Sequence, residues 1–398
     1  MKRILFVDDE PNILEGLRRL LRPLRKEWEM VFVDSGQKAL EVMAENVCDV
    51  VVSDMRMPGM DGAELLQKIM ENYPNVVRIV LSGHSDKEMI MRSVGPTHQY
   101  LSKPCDAQTL KNTIGRALAL RELLQDNAIK NLVSRLESLP SLPNLYVEIM
   151  EEVQSEDSTI KRVGEIISKD IGMTAKILKL VNSSFFGTPR HVSEPAQAAS
   201  LLGIDIIKSM VLSTQIFSKF EEKNLKHLNL EVLWNHSMSV GAFAKQIVIE
   251  EGMDKKAADE AFMAGILHDI GKLIMADNLP SAYELASNLS HHENIPFFNA
   301  EKNALNASHA EIGAYLLGLW GTSDTIIEAL AFHHNPSECI NKAFSPLTAV
   351  HAANTIDHKM RIKLENVVYS DYDVLYFESI GLSDRIEKWE QICMKFTS

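Results

Sequence analysis

The feature that most constrains the fold is a run of three valines, Val50–Val52, that shows no alternation with polar residues. A strand with this pattern is covered on both faces, as the strands of parallel sheets are. Over residues 1–120, four further short apolar runs alternate with helical patterns, which predicts an α/β fold with a doubly wound, five-stranded parallel sheet. The predicted strands are Arg3–Asp8, Glu29–Val33, Asp49–Asp54, Val77–Ser82 and Tyr100–Ser102.

The second half of the chain follows a helical period that is punctuated by Ser, Asp, Gly and Pro, which predicts an all-α domain. The segment Leu139–Pro143 contains two prolines and marks a domain boundary. We therefore divide the 398 residues into an N-terminal domain at 1–120, a helical linker at 121–137 and a C-terminal domain at 138–398.

The linker region from Leu120 to Leu136 contains no Gly or Pro and is predicted to be one continuous helix. Its apolar positions approximate a heptad repeat. One alternative is an amphipathic helix packed on its own domain, and the other is a coiled coil between two chains, which would give a homodimer. These positions are Leu120, Leu124, Ile129, Leu132 and Leu136.

Composition and charge limit the class of protein. With 45% hydrophobic and 24% charged residues, the chain can bury ordinary cores. We expect a cytoplasmic protein with no membrane segment, because the four cysteines form no CxxC pair and no apolar run approaches bilayer length. The net charge is −13; residues 1–120 hold 16 Lys/Arg against 17 Asp/Glu, which leaves 25 against 37 for the remainder. This acidic excess argues against DNA binding.

Acidic residues follow two of the predicted strands. Asp8 and Asp9 follow the first strand and Asp54 closes the third, so their side chains are expected to converge at one end of the sheet. Carboxylates are the ligands that Mg²⁺ prefers, and Asp54 can act as a nucleophile toward phosphorus. Ser82 ends the fourth strand and Lys103 follows the fifth, where each can contact a phosphate.

These motifs resemble the receiver domains of two-component response regulators, which have a flavodoxin-like fold. The resemblance implies that Asp54 is the phosphoacceptor, served by a cognate histidine kinase. It further implies that Asp8, Asp9, Asp54 and the backbone carbonyl of Arg56 bind Mg²⁺. Lys103 is expected to precede a cis-proline, Pro104, and Tyr100 to be the aromatic switch. The matching segments are Phe6–Glu10, Ser53–Gly62, Leu81–Gly83 and Lys103–Pro104.

A second group of residues has the chemistry of a metal site. Imidazoles combined with a carboxylate bind transition metals, and helical bundles distribute such ligands over several helices. A single buried histidine is more often a core residue, but here six groups recur in helical surroundings. Adjacent pairs splay by about 100° on a helix and can serve neighbouring metals, so one pocket could hold two ions. The residues are His236, His268, Asp269, His309, His333 and His334.

The C-terminal half resembles the HDOD family, a branch of the HD phosphohydrolase superfamily. Two departures from active relatives stand out. Asn354 occupies the position where the superfamily places a terminal ligand Asp, and His333-His334 leads into Asn335-Pro336 rather than a Gly-Tyr-Pro loop. The resemblance is carried by Leu139–Pro143, Thr174–Ser183, Leu201–Ile204, Leu233–Ser237, His268–Lys272, Gly313–Leu317 and Trp320.

Two functions remain open from the sequence. The first is a phosphorylation-controlled signalling protein whose C-terminal domain binds a partner protein or small ligand, with little or no metal. The alternative is a receiver-gated, metal-dependent phosphohydrolase acting on a nucleotide or other phosphoester. Asn354 and the missing loop favour binding, whereas the six clustered side chains favour chemistry.

Overall fold

The N-terminal domain is built on five parallel strands in the order β2-β1-β3-β4-β5. The predicted sheet is confirmed, and each strand ends within one residue of its predicted position. Val50, Val51 and Val52 are at most 1% exposed, as a strand covered on both faces requires. The strands are β1 (Lys2–Val7), β2 (Trp28–Val33), β3 (Val50–Asp54), β4 (Val77–Ser82) and β5 (Gln99–Ser102).

The computed structural model describes residues 1–82, 96–120, 123–124, 126–136, 139–141, 148–149, 151–152, 155, 157–182, 192–203, 207, 217–219, 228–361 and 368–396. The described helices of the N-terminal domain are α1 (Pro11–Leu20), α2 (Gly36–Glu45), α3 (Gly62–Asn72) and α4 (Ala107–Leu120), with a 3-10 turn at Arg22–Lys26. The strand order reverses between β1 and β3. Ligand sites of doubly wound sheets lie beyond the carboxyl ends of strands at such a point.

The linker is not the single helix that its sequence predicts. Helix α5 (Asn127–Ser134) begins anew after Asp126, whose backbone is extended with φ −74° and ψ 120°. The Asp126 carboxylate accepts hydrogen bonds from the backbone N–H groups of Ala128 and Ile129. An aspartate that caps a helix in this way satisfies donors that have no partner within the helix, and it therefore starts a new helix here.

Three of the five heptad-like residues of the linker are buried within their own chain, and Leu132 and Leu136 are half-buried. Leu120, Leu124 and Ile129 are 6%, 1% and 5% exposed. A coiled coil between two chains would need these side chains on the surface, so of the two alternatives the structure supports packing within the chain.

The C-terminal domain is largely helical, as predicted. One short parallel pair lies in its described part, β6 (Leu139–Ser141) beside β7 (Phe217–Lys219). Pro143, in the predicted boundary segment, lies outside the described residues. The helices are α6 (Ile160–Ser168), α7 (Ile171–Val181), α8 (Pro195–Leu202), α9 (Leu230–Glu250), α10 (Lys255–Leu267), α11 (Ile270–Asn278), α12 (Pro280–Glu293), α13 (Phe297–Leu305), α14 (His309–Leu319), α15 (Asp324–Phe332), α16 (Pro346–Arg361), α17 (Val374–Ser379) and α18 (Ile386–Phe396), with 3-10 turns at Pro336–Glu338 and Ser383–Arg385.

The two domains share an interface at β5, α4 and the linker. The Gln99 side chain donates a hydrogen bond to the carbonyl of Gly318 at 3.2 Å. Leu120 packs so closely on Gly318 that a Cβ atom there would lie 2.5 Å from a methyl carbon of Leu120. The hydroxyls of Ser134 and Tyr315 lie 3.2 Å apart. Helix α14 therefore contacts both strand β5 of the N-terminal domain and the linker.

Charged groups extend the same interface. Lys179 of α7 donates to the Thr97 carbonyl at 2.9 Å, and Arg116 of α4 pairs with Asp324 of α15 at 2.7 Å.

In the described part of the chain, no helix is long and apolar enough to cross a bilayer.

Candidate phosphoacceptor and metal sites

The carboxyl ends of β1 and β3 bring acidic residues to one edge of the sheet. Asp54 is the last residue of β3 and Asp8 directly follows β1. Asp8 is 2% and Asp54 9% exposed, while Asp9 is half-buried. Lys103 follows β5 and places its Nζ atom 2.6 Å from Asp8 Oδ2 and 2.6 Å from Asp54 Oδ1. Its ammonium therefore supplies the positive charge between the two carboxylates.

Burial and charge set the protonation of this edge. Burial raises the pKa of Asp54, and Asp8 adds to that effect, while the hydrogen bond from Lys103 opposes it. Burial alone would lower the pKa of Lys103, but Asp54 and Asp8 raise it above its usual value. Lys103 is therefore held as a cation beside the candidate nucleophile, where it can pair with a phosphoryl group.

The resemblance to receiver domains also singled out Arg56, Ser82, Tyr100 and Pro104. The Lys103–Pro104 peptide bond is cis, as the resemblance implies. The backbone N–H of Arg56 donates to Asp54 Oδ2 at 3.1 Å, which places the Arg56 peptide beside the carboxylate. Tyr100 is 5% exposed and packs in the core with Val80. Ser82 ends β4, and its side chain lies outside the described part of the chain.

The C-terminal domain brings the six predicted ligands together from four places in the sequence. His236 lies in α9, His268 and Asp269 join α10 to α11, His309 begins α14, and His333 and His334 follow α15. Their donor atoms form two groups, each with all atoms within 4.8 Å of one another. The groups are His236, His268 and Asp269, and Asp269, His309, His333 and His334.

Asp269 belongs to both groups and divides its oxygens between them. Its Oδ2 atom lies 3.4 Å from His268 Nε2 and 3.7 Å from His236 Nε2. Its Oδ1 atom lies 3.1 Å from His309 Nε2 and 3.9 Å from His333 Nε2. A carboxylate placed between two sets of imidazoles is suited to bridging two metal ions.

Hydrogen bonds from the outer ring nitrogens orient the imidazoles. The Nδ1 atoms of His268 and His333 donate to the carbonyls of Gly265 and Leu330 at 2.7 and 2.8 Å. A carbonyl can only accept, so Nδ1 carries the proton and the Nε2 lone pair faces the cluster.

Carboxylates orient the imidazoles of two other candidate ligands, His236 and His309. His236 Nδ1 donates to Asp357 Oδ2 at 2.6 Å, and His309 Nδ1 donates to Glu301 Oε2 at 2.6 Å. Such outer partners fix the tautomer of a metal-binding histidine and raise its basicity. Asp357 and Glu301 were not predicted from the sequence. For Asp357, the available signal was its i, i+4 spacing to Arg361, whose Nε atom donates to the same carboxylate at 2.5 Å.

The protonation states also suit a metal. Burial lowers the pKa of His268 to about 4 and holds the pKa values of His333 and His334 well below the usual value. Burial alone would raise the pKa of Asp269, but His268 and Lys272 bring it well below its usual value. His309 differs, because burial alone would lower its pKa but Glu301 and Asp269 raise it above the usual value. Neutral imidazoles around an ionised carboxylate are the forms that bind metal, and His268, His333 and His334 are held in that form.

Unpartnered buried atoms concentrate at this cluster. Asp269 Oδ1 and His333 Nε2 are shielded from solvent and make no hydrogen bond. Asn354 on α16 is 4% exposed, and its Oδ1 atom also has no hydrogen-bond partner. Buried polar atoms rarely stay unpaired, and a metal ion would supply the missing partner for such donors. The residues present therefore fit a divalent transition metal or Zn²⁺.

The cluster opens into a cavity of about 250 Å³. Lys272 and Arg361 line this cavity and carry positive charge toward it. Lys272 Nζ lies 2.7 Å from Asp269 Oδ2, which places its charge at the candidate metal site. Phe298 and Tyr369 add aromatic surface, and His358 stacks between Tyr369 and His236 at 3.8 and 4.4 Å. A small anionic ligand with an apolar part suits this lining.

Comparison with known families identifies both halves of the chain. Residues 4–115 match the response regulator receiver domain. Residues 139–336 match the HDOD domain. The chain is a receiver–HDOD protein. Helix α16, which carries Asn354, lies beyond the matched HDOD segment.

Relatives of the receiver–HDOD protein match only parts of it. An uncharacterized protein of Treponema pallidum is 24% identical over 230 residues, or 56% of this chain and 44% of that protein. The hydrogenase transcriptional regulatory protein HoxA of Cupriavidus necator is 34% identical over 125 residues, or 31% of this chain and 25% of HoxA. The chain spans less than half the length of the curated relatives named here.

A solved structure, that of the response regulator MmoQ from Methylococcus capsulatus, is 22% identical to the receiver–HDOD protein. It covers 64% of this chain and 98% of its own length, with a TM-score of 0.48.

Proposed function

We propose that this protein is a phosphorylation-controlled response regulator whose HDOD domain binds divalent metal together with a small phosphoester ligand. The observation that carries this proposal is the convergence of imidazole Nε2 atoms on both oxygens of Asp269, beside an open cavity. The HDOD domain thus acts as a binding module, with the receiver determining its state.

At the receiver, Asp54 accepts the phosphoryl group from a cognate histidine kinase. Asp8, Asp9, Asp54 and the Arg56 carbonyl are the proposed Mg²⁺ ligands, and Ser82 and Lys103 the proposed phosphate contacts. The charge arrangement supports this assignment, because Lys103 lies 2.6 Å from both Asp8 and Asp54. A phosphoryl group adds about two negative charges beside Asp54, which Lys103 and Mg²⁺ would offset.

At the HDOD domain, the ligands of each metal are nitrogen and oxygen donors, which suits Mn²⁺, Fe²⁺ or Zn²⁺ over Mg²⁺. When bound, the metal acts as a Lewis acid that neutralises charge on a phosphate oxygen. Lys272 and Arg361 lie at the cavity wall, where their charges would hold the same phosphate. The carboxylate of Asp357 accepts hydrogen bonds from both Arg361 and His236. It therefore orients both the proposed phosphate contact, Arg361, and the proposed metal ligand, His236.

Hydrolysis of the phosphoester is a second candidate function. It is favoured by the six clustered candidate ligands, four of which are imidazoles oriented by hydrogen bonds, and by the cationic cavity beside them. Asn354 counts against efficient turnover, because a neutral amide removes one negative charge that would balance the metals. Binding therefore remains the first proposal.

Protein purified without added metal is the material for the test. Elemental analysis should find Mn, Fe or Zn. Inorganic phosphate should bind more tightly to the metal-loaded protein than to the same protein after its metal has been removed. Turnover of bis(p-nitrophenyl) phosphate, abolished by His268→Ala, would establish hydrolysis instead. Protein that takes up no transition metal at stoichiometric concentration would contradict both candidates.

A further inference from the structure

Helix α14 reaches from the receiver interface to the candidate metal cluster. Its first residue, His309, is one of the proposed ligands, and Tyr315 and Gly318 near its other end contact the receiver and linker. At a rise of 1.5 Å per residue, its 11 residues span about 15 Å. One element therefore touches both functional sites.

The receiver end of α14 is held by close contacts. The Leu120 side chain fills the space beside Gly318, where a Cβ atom would lie 2.5 Å from a methyl carbon. Gln99, next to the proposed switch residue Tyr100 in β5, donates to the Gly318 carbonyl at 3.2 Å. A shift of β5 or α4 would therefore press directly on α14.

The metal end of α14 is packed equally closely. A Cβ atom on Gly271 would lie 1.9 Å from the His309 carbonyl oxygen, so the backbone of α11 touches the start of α14. Gly271 is two residues from the bridging Asp269. His309 Nε2 lies 3.1 Å from Asp269 Oδ1. Any movement at this end changes the spacing of metal ligands.

Helix α14 is well suited to move as a unit. Its N-terminus is closed by a capping box, in which the Ser308 hydroxyl accepts from the Glu311 N–H and the Glu311 carboxylate accepts from the Ser308 N–H. Most of its side chains are buried, and a packed core transmits a displacement rather than absorbing it.

We propose that α14 couples the receiver to the HDOD metal centre, by transmitting the state of β5 and α4 through Gly318 to His309. This proposal rests on the proposed metal-binding function. Thermodynamic linkage makes the coupling reciprocal, so metal in the HDOD domain must change the receiver's affinity for a phosphate mimic by the same factor.

The test measures Mn²⁺ affinity of the full-length protein with and without beryllofluoride, at one fixed Mg²⁺ concentration. Couplings between sites are typically about 5- to 150-fold. We expect beryllofluoride to change the wild-type affinity by about fivefold or more, and Asp54→Asn to abolish that change. An unchanged wild-type affinity would overturn the proposal.

Two variants locate the coupling in α14. Gly318→Ala places a methyl group against Leu120, and Gln99→Ala removes the hydrogen bond without disturbing a helix. Both should reduce the change in affinity by several-fold. The matched control is Gly115→Ala in α4, where a Cβ atom meets nothing within 4 Å. Full coupling in both Gly318→Ala and Gln99→Ala would exclude α14 as the connection.

A second measurement separates this proposal from the metal-binding function. Hydrogen exchange of the peptide spanning residues 309–319 can be followed in metal-free protein. Beryllofluoride should change its exchange rate in wild type but not in Gln99→Ala. If the protein bound no Mn²⁺ but beryllofluoride still changed the exchange rate of this peptide, the proposed metal binding would be wrong. The coupling of the receiver to the far end of α14 would then still be supported. No response would refute that coupling.

Discussion

The Nζ atom of Lys103 lies 2.6 Å from the Oδ1 atom of Asp54, across the carboxyl edge of the receiver sheet. This pairing joins Lys103, which follows β5, to Asp54, the last residue of β3. In the sequence, 48 residues lie between the two. It leaves Asp54 as a buried carboxylate with a cation already in place.

The first prediction concerns phosphorylation. Incubation with acetyl phosphate and Mg²⁺ should label wild type and fail to label Asp54→Asn, because the amide cannot act as the nucleophile. Asp34→Asn is the control, since Asp34 is an exposed carboxylate that pairs with Lys38 on the surface of the receiver. Labelling of Asp54→Asn at the wild-type level, read by intact-protein mass, would contradict the assignment.

The second prediction concerns the bridging carboxylate. Asp269→Asn should lower bound transition metal by tenfold or more, because both proposed metal positions share this side chain. His292→Ala, an exposed histidine on α12, should keep the wild-type metal content. Elemental analysis after identical dialysis provides the comparison, and equal metal in the two variants would rule out the cluster as the site.

The third prediction concerns Asn354. Its Oδ1 atom is buried without a partner, and the resemblance to the HD superfamily implies a ligand Asp at this position, so Asn354→Asp would restore that negative charge. We expect Asn354→Asp to raise Mn²⁺ affinity by about tenfold, and any phosphodiesterase turnover should rise with it. Asn354→Ala is the opposing control and should weaken binding. A lower affinity in Asn354→Asp than in Asn354→Ala would show that this position does not face the metals.

The fourth prediction concerns acid stability through His98. Its Nδ1 atom accepts from the backbone N–H of Arg78 at 3.1 Å, and its Nε2 atom lies 3.2 Å from the Ser134 carbonyl. Burial, together with the neighbouring charges of Arg78 and Lys179, holds the pKa of His98 well below 6.5. The unfolded chain therefore binds this proton first as the pH falls, so stability is lost below about pH 6.5 and is unaffected above it.

Urea unfolding at pH 7.5 and pH 5.5 measures this loss. His98→Asn keeps an acceptor near the Nδ1 position but binds no proton, so it should lose about 1 kcal/mol less than wild type on acidification. Equal losses in the two proteins would mean that His98 is protonated in the folded state.

Much of both sites could be predicted from sequence because the relevant signals are local. Strand ends place Asp8, Asp54 and Lys103 at one edge once the sheet is known to be parallel, and the structure has this arrangement. The six candidate metal ligands of the HDOD domain were predicted from residue types and motif resemblance. Glu301 and Asp357 were missed, because nothing in the sequence near them says which histidine they will support.

The linker shows where periodicity fails. The apolar spacing from Leu120 to Leu136 indicated a continuous helix, but Asp126 caps a new helix within it. Capping depends on hydrogen bonds from nearby backbone N–H groups to one side chain, and these hydrogen bonds compete with continuation of the helix. The spacing of apolar residues carries no information about that competition.

The sequence by itself determined the two-domain organisation, the parallel sheet, the candidate nucleophile and the identities of the candidate metal ligands. Those features follow from residue chemistry and from patterns that are read within a single element. Only the tertiary structure decided that Asp269 lies between two imidazole groups, that the cavity carries Lys272 and Arg361, and that α14 joins Gly318 to His309. Such relationships depend on packing between elements far apart in the chain, and a periodic pattern reports which face is buried but not what it is buried against.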